Sequence, residues 1–220
     1  MKLLINFASR SRPVKFHQCM LNLRDAFRGL SYEVLLKVDR TDPTLKLYLN
    51  KAYKEINLQL GYSDSKIHAI NRNIPASGWD VVINTSDDIN WRPNAGKQII
   101  QDMVEFGPDI FLHYPEQYAE QQAKRKGKPS ISIVSIMDRA YYNRFGYVYY
   151  PEYKSIWPDE EATIVARTLG RYKFINKPIF EHLHHAAGKV KKDELYIRND
   201  QYNGHDKLLF IKRKMEGFGL

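Results

Sequence analysis

Apolar positions come first in this chain as an almost unbroken run, Lys2-Leu-Leu-Ile-Asn-Phe7, closed by the polar turn Ala8-Ser-Arg-Ser-Arg-Pro13. A short apolar run bounded by turn residues predicts a buried strand. Pro13 suits the first turn of a helix. Val14, Met20, Leu21, Leu23 and Phe27 then recur at roughly helical spacing until Gly29 stops the run. YEVLLKV at 32–38 predicts a second strand, and DRTDPT the turn after it. A helix is expected over about 44–60, ending at Gly61, then a short third strand over 66–70 (KIHAI) and a loop, NRNIPASG. A fourth strand is expected over 80–85 (DVVINT). Pro93 opens another helix to about Phe106, which Gly107-Pro108 breaks. DIFLHY predicts a strand, and PEQYAEQQAKRK a charged helix.

The second half is less regular. SISIVSIM at 130–137 predicts a strand, followed by the aromatic segment DRAYYNRFGYVYYPEYKSIW. A helix begins at Pro158 or Asp159, with Ala162, Val165, Ala166 and Leu169 as its apolar stripe and Gly170 as its stop. RYKFIN and IFEHLHH are strand-like, and the tail from about Lys191 is helical or mobile. The alternation of strand and helix in the first half predicts an α/β fold, with a mostly parallel central sheet and helices on both faces. Such sheets bind ligands beyond the carboxyl ends of their strands. Three polar clusters fall at such ends: Ser9 to Arg12, Asp39 to Asp42, and Ser86 to Asp88. With no repeat, low-complexity stretch or linker in view, one domain over 1–220 is expected.

Composition narrows this picture. The 220 residues suffice for a sizeable core, and 43 % hydrophobic with 27 % charged residues is ordinary for a globular protein. One cysteine, Cys19, excludes an internal disulfide and fits a reducing compartment. The apolar run at the N-terminus is too short for a signal peptide. No stretch approaches the ~18 apolar residues of a membrane span. A soluble, cytoplasmic protein is therefore expected. The net charge of +9 favours anionic partners, with clusters at Lys124–Lys128, Lys189–Lys192 and Lys212–Lys214. The 15 tyrosines would suit stacking on sugars or bases, or simply packing.

Asp87 and Asp88 are the most pointed chemistry. Two adjacent carboxylates after a buried strand repel each other and are costly to desolvate. They fit either an Asx turn or an oxygen-ligand site for Mg2+ or Mn2+. His182 and His184 share a face if 179–185 is a strand, which suits metal ligation, with His184 first and His185 facing away. Asp159, Glu160 and Glu161 open a helix. Spacing alone favours stabilisation by the helix dipole there over a general base. Arg10, Arg12 and Arg72, in strand-end loops, could clamp phosphate. Half of the aromatics at 141–157 are expected to pack, and the others to face a sugar or base.

Taken together, these stretches resemble the GT-A glycosyltransferases, a Rossmann-like fold, and in particular small family-two-like members. LINFASRSRPVKF resembles that fold's opening nucleotide loop (Ala8, Ser9, Arg10 and Arg12), and VDRTDPT its second-strand loop, where Asp39 would meet base or ribose. AINRNI places Arg72 near phosphate. NTSDDI resembles the Asp-x-Asp motif, with Ser86 at its first position, Asp88 on the metal and Asp87 near ribose or metal. The segment RFGYVYYPEYKSIWPDEEATIVARTLG resembles the acceptor side, with Asp159 as base and Glu160 second. IFEHLHHAAGK resembles the late strand that supplies a metal-binding His.

The resemblance implies a metal-dependent, inverting transferase that moves a sugar from a nucleotide diphosphate, UDP foremost, with Mn2+ or Mg2+ as cofactor. Residues 1–115 would hold donor and metal, and 116–220 the acceptor side. A glycan, a glycolipid precursor or a modified base in DNA would be the acceptor. Two other readings compete. One is a non-catalytic basic nucleic-acid-binding module, which leaves the strand-end acids unexplained. The other is a sugar nucleotidyltransferase, which the missing Gly-rich phosphate loop disfavours.

Overall fold

The computed structural model describes residues 1–49 and 53–220. Its first half runs β1 (Lys2–Ala8), α1 (Pro13–Ala26), β2 (Ser31–Asp39), α2 (Leu45–Tyr48), β3 (Ile56–Gly61), α3 (Lys66–Asn71), β4 (Val81–Thr85), β5 (Ile89–Trp91), α4 (Ala95–Phe106) and β6 (Phe111–His113). The second half runs α5 (Gln117–Lys126), β7 (Ile136–Asp138), α6 (Arg139–Asn143), α7 (Pro158–Thr168), β8 (Tyr172–Phe174), β9 (Phe180–His182), α8 (Glu194–Asp200) and α9 (Asn203–Met215). Short 3-10 turns lie at His185–Ala187 and Gly217–Gly219.

The expected α/β architecture is present. Seven strands form one sheet in the order β3-β2-β1-β4-β7-β6-β8, and β5 pairs with β9 beside it. β1 runs parallel to β2 and β4, and β2 parallel to β3. The exception is β7, antiparallel to both of its neighbours. Alternate side chains of β1 feed separate apolar layers. Leu3, Ile5 and Phe7 pack under α1 with Phe16, Met20 and Leu23, while Leu4 packs on the opposite face with Leu35, Ile67 and Ile70. Among the described residues no helix is long and apolar enough to cross a membrane.

Several expectations are corrected. The helix expected over 44–60 is one turn, α2, and its far end is the edge strand β3; residues 50–52 lie outside the described part. Leu45, Leu49, Tyr53, Ile56 and Leu60 satisfy a helical spacing. However, Ile56, Leu58 and Leu60 also alternate with Asn57 and Gln59, and pairing with β2 selects that period. The strand expected over 66–70 is helix α3, because the Ser65 hydroxyl accepts the His68 N–H at 3.1 Å and caps it. Of 130–137 only the end joins the sheet, as β7; earlier in the run the Ser132 N–H donates to the Thr163 hydroxyl at 3.0 Å. The strand expected at 179–185 is only β9, whereas the tail, expected to be helical or mobile, is helical, as α8 and α9. Tyr141, Tyr142, Tyr149 and Tyr153 are buried in the second apolar layer, where packing accounts for them.

Gly96, near the start of α4, lies hard against Phe27 and Leu30, which follow α1. A Cβ there would stand 2.6 Å from Phe27 and 2.7 Å from Leu30. Phe27 cannot retreat, because it is fully buried with its ring edge-on to Trp91 at 5.4 Å. Gly96→Ala should therefore destabilise the fold. Overpacking costs about 1–3 kcal/mol, against a helix-propensity gain of ~1 kcal/mol or less. Urea unfolding would measure this, and a raised midpoint would contradict it.

Candidate functional site

Because β1, β2 and β4 are parallel, their carboxyl ends open on one rim. A cleft of about 440 Å³ lies there. After β1 it is lined by Ala8, Ser9, Arg10 and Arg12, after β2 by Asp39, and after β4 by Asp87 and Asp88. Asp159, His182 and His184 close it from the other side. These ten residues, all singled out from the sequence, thus converge, whereas Arg72, Glu160 and Glu161 lie outside the lining.

The two adjacent carboxylates after β4 are parted by their partners. Asp87 accepts from the Arg12 guanidinium and from the Ser9 hydroxyl, each at 3.0 Å. Burial, with Asp88 alongside, pushes its pKa up to about 6 against the pull of Arg12. Asp88 is also buried, which by itself would raise it. Hydrogen bonds from His182, Ser86 and Tyr196 outweigh burial and hold it well below the usual carboxylate range. The Tyr196 hydroxyl donates to Asp88 Oδ2 at 2.8 Å, and His182 Nε2 stands 3.3 Å from the same oxygen. Ser86 thus donates to Asp88, from the first position of the motif that the resemblance assigns to an acid.

The donor set can be tested against a divalent cation. Among the described residues no group of three or more His, Cys, Asp or Glu side chains is placed to hold a metal ion by itself. Adjacent ligands of a small octahedral cation stand about 3 Å apart, and such ions keep places for water and phosphate. Asp88 with His182 matches such a pair of places, and oxygen with imidazole suits Mn2+. His184 lies one ring further out, 4.8 Å from the His182 centroid. Burial, with His182 and His185 nearby, lowers its pKa to about 4, which keeps the imidazole neutral. His182 rather than His184 is therefore the one beside Asp88. His185, expected to face away, lines the cleft as well, with its ring 4.4 Å from Tyr196. The strand ends at His182 and the 3-10 turn swings His185 round; its Nδ1 is buried without a partner.

Asp39 is held from two sides, by Arg10 at 3.1 Å and Arg72 at 2.6 Å. Arg72 also donates to the carbonyls of Val38 and Gln59, so its place is beneath Asp39 rather than in the cleft. The acidic triplet at the start of α7 separates completely. Asp159 faces the cleft, its Oδ1 accepting the Glu160 N–H at 2.9 Å, and burial raises its pKa against nearby Lys66. Glu160 turns outward toward Lys128, Lys214 and Lys126. Glu161 is buried against Arg213 at 2.7 Å and accepts from the Tyr153 hydroxyl at 2.7 Å.

The candidate site residues taken from the sequence include none from α8, although the tail that holds it was expected to be helical or mobile. Tyr196 reaches Asp88 across 108 residues, and Arg12 stacks on its ring at 4.3 Å. Asp193 takes the Arg12 guanidinium at 2.6 Å and Lys15 at 2.9 Å. No local motif marks these residues. Lys37 was missed too: it sits on β2 in the cleft floor, 1 % exposed, and donates to the Ile70 carbonyl at 2.6 Å.

No protein-family model matches the sequence, and no curated protein matches it either. Solved glycosyltransferase structures share the fold. The mannosyltransferase PcManGT from Pyrobaculum calidifontis, in complex with GDP-Man and Mn2+, is similar at a TM-score of 0.63 and 12 % identity over 82 % of this chain. S. aureus TarS 1-349 in complex with UDP gives 0.61 and 16 %, also over 82 %, and S. aureus TarS gives 0.59 and 15 % over 83 %. The chain spans 56 %, 60 % and 36 % of those three chains, respectively. The α/β fold is therefore a GT-A-like glycosyltransferase fold.

Burial, aided by the charge of Arg72, drags the Lys37 pKa from 10.5 down to about 6. The unfolded chain then binds the extra proton between those values, so this lysine lowers stability progressively as pH falls from about 10.5 toward 6. In Lys37→Met the Ile70 carbonyl keeps its second donor, Asn6, at 3.0 Å. The variant should be more stable than the parent near neutral pH, with the gap closing as pH rises. Urea titrations at neutral and alkaline pH would show it; a gap that widens with pH would contradict it.

Proposed function

We propose that residues 1–220 form one catalytic unit, a metal-dependent, inverting glycosyltransferase whose donor is a nucleotide-diphosphate sugar, UDP-linked in the first instance. The observation that carries this reading is Asp88, a buried and firmly ionised carboxylate at the end of β4 with His182 against the same oxygen, in one cleft with Asp159. The neighbouring folds solved with GDP-Man and Mn2+, and with UDP, support it.

Asp88 and His182 would hold Mn2+ or Mg2+, with His184 beside them. A bound cation offsets charge developing on the leaving diphosphate. Arg10, partly exposed at the rim with one guanidinium nitrogen on Asp39, would take a phosphate oxygen with another. Asp39 would accept from ribose or base. Asp159 would take the proton of an acceptor hydroxyl as that oxygen bonds to the anomeric carbon from the face opposite the departing diphosphate. Burial raises its pKa, which makes it a better acceptor for that proton. Glu160, turned outward, would support this role only indirectly. Buried Cys19, its thiol pKa raised by burial, fits a reducing cytoplasm.

Two substitutions separate donor binding from chemistry. Asp88→Asn should abolish the Mn2+-dependent thermal stabilisation by UDP along with turnover. Asp159→Asn should keep that stabilisation and lose about 10²- to 10⁴-fold in turnover. Stabilisation that survives Asp88→Asn, or is lost in Asp159→Asn, would sink the assignment concerned. A parent protein stabilised by no nucleoside diphosphate, with or without metal, would sink the whole reading.

A further inference from the structure

Helix α9 presents two opposed faces. Its inner face is locked. Asp206 accepts the backbone N–H groups of Lys154, Ser155 and Ile156 at 2.8–2.9 Å. Arg213 pairs with Glu161 and donates to the Phe218 carbonyl, and Phe210 is buried between them. These three positions fix how the helix is rotated.

At 3.6 residues per turn, Leu208, Ile211 and Met215 then fall together on the outer face. They are 71 %, 43 % and 78 % exposed. The helical wheel places exposed Lys207 and Lys214 along one edge of this stripe and exposed Lys212 along the other. The basic field continues beyond the helix, because Lys126 and Lys128 at the end of α5 act together with Lys214 on Glu160.

We propose that this face of α9 docks on an anionic lipid bilayer. Leu208, Ile211 and Met215 enter the boundary between headgroups and acyl chains, while Lys207, Lys212 and Lys214 lay their stems along it and meet lipid phosphates. An apolar stripe edged on both sides by lysines is complementary to a surface that is apolar within and anionic at its face. A second copy of this chain, paired about a twofold axis, would bring lysines against lysines. A nucleic acid would take the lysines and leave the stripe in water. The helix begins directly after Tyr202, which lines the cleft, so docking holds the cleft at the membrane. If the cleft is a donor site, the acceptor class is then a lipid-linked one. That last step alone rests on the proposed function.

The test is flotation of the full chain with vesicles of mixed phosphatidylcholine and phosphatidylglycerol, and with phosphatidylcholine alone, at low and high salt and without nucleotide. The parent should float with the mixed vesicles and much less with the neutral ones. Each replacement among Lys207→Gln, Lys212→Gln and Lys214→Gln should weaken partitioning about fivefold. Leu208→Ser with Met215→Ser should weaken it about tenfold or more, with circular dichroism and melting midpoint unchanged. The proposal is overturned if the parent ignores both vesicles, or if the serine variant floats like the parent. It is equally overturned if the serine changes abolish a concentration-dependent dimer instead, or if the lysines serve only salt-sensitive DNA binding. Failure of the donor reading leaves this assay unaffected, because no nucleotide is present.

Discussion

Arg12 is the charge on which the rim of the cleft depends. Its side chain is only 7 % exposed, and it reaches Asp87 at 3.0 Å and Asp193 at 2.6 Å while stacking on Tyr196. Asp87 and Asp88 are both buried, and two buried neighbouring anions would repel each other strongly. Arg12 neutralises the first, leaving the second to His182, Ser86 and Tyr196. The same guanidinium ties α8 to β1's loop, so the element that lies over the site is joined to it by the charge that makes the site stable. Burial of Arg12 lowers its pKa in isolation, but Asp193 and Asp87 more than restore it.

Beneath that rim, a polar seam crosses an otherwise apolar sheet. Asn6 donates to Asn84 at 2.9 Å and to the Ile70 carbonyl at 3.0 Å, and Lys37 donates to the same carbonyl. These bonds fasten the C-terminal end of α3 to three adjacent parallel strands. Polar groups buried at such a depth are tolerable only when paired. They place α3 so that Lys66 at its start faces the cleft and Arg72 just past its end supports Asp39. Arg72 passes so close to Gly61 that a Cβ there would lie 3.0 Å from its guanidinium. A glycine in the edge strand is thereby explained by the site rather than by the strand.

The acidic start of α7 shows how one local pattern serves three tasks. Helical geometry turns successive residues by about 100°, so Asp159, Glu160 and Glu161 cannot share an environment. One faces the cleft, one faces lysines in solvent and one anchors Arg213 in the interior. The third matters as much as the first, because the Glu161–Arg213 pair fixes α9, and α9 follows the helix that covers the site. Removing one partner of such a buried pair leaves an uncompensated charge, which is far more costly than the pair is stabilising.

What the chain determined on its own was the class of fold and most of the rim. Apolar runs at 2–7, 32–38 and 80–85 specify strands through local burial, and polar clusters at their ends were legible because a parallel sheet must deliver them to one edge. What the chain could not determine locally was decided by pairing and distance. The run over 56–61 fits helix and strand equally until β2 supplies hydrogen bonds, and 66–70 fits a strand until Ser65 caps it. Tyr196 and Asp193 carry no motif, and they join the site only because the fold closes a separation of more than a hundred residues. Which acid of a triplet faces a cleft, and which histidine faces Asp88, are questions of rotation and register. Those are set by tertiary packing, since neighbouring residues of the same type are chemically alike until something surrounds them.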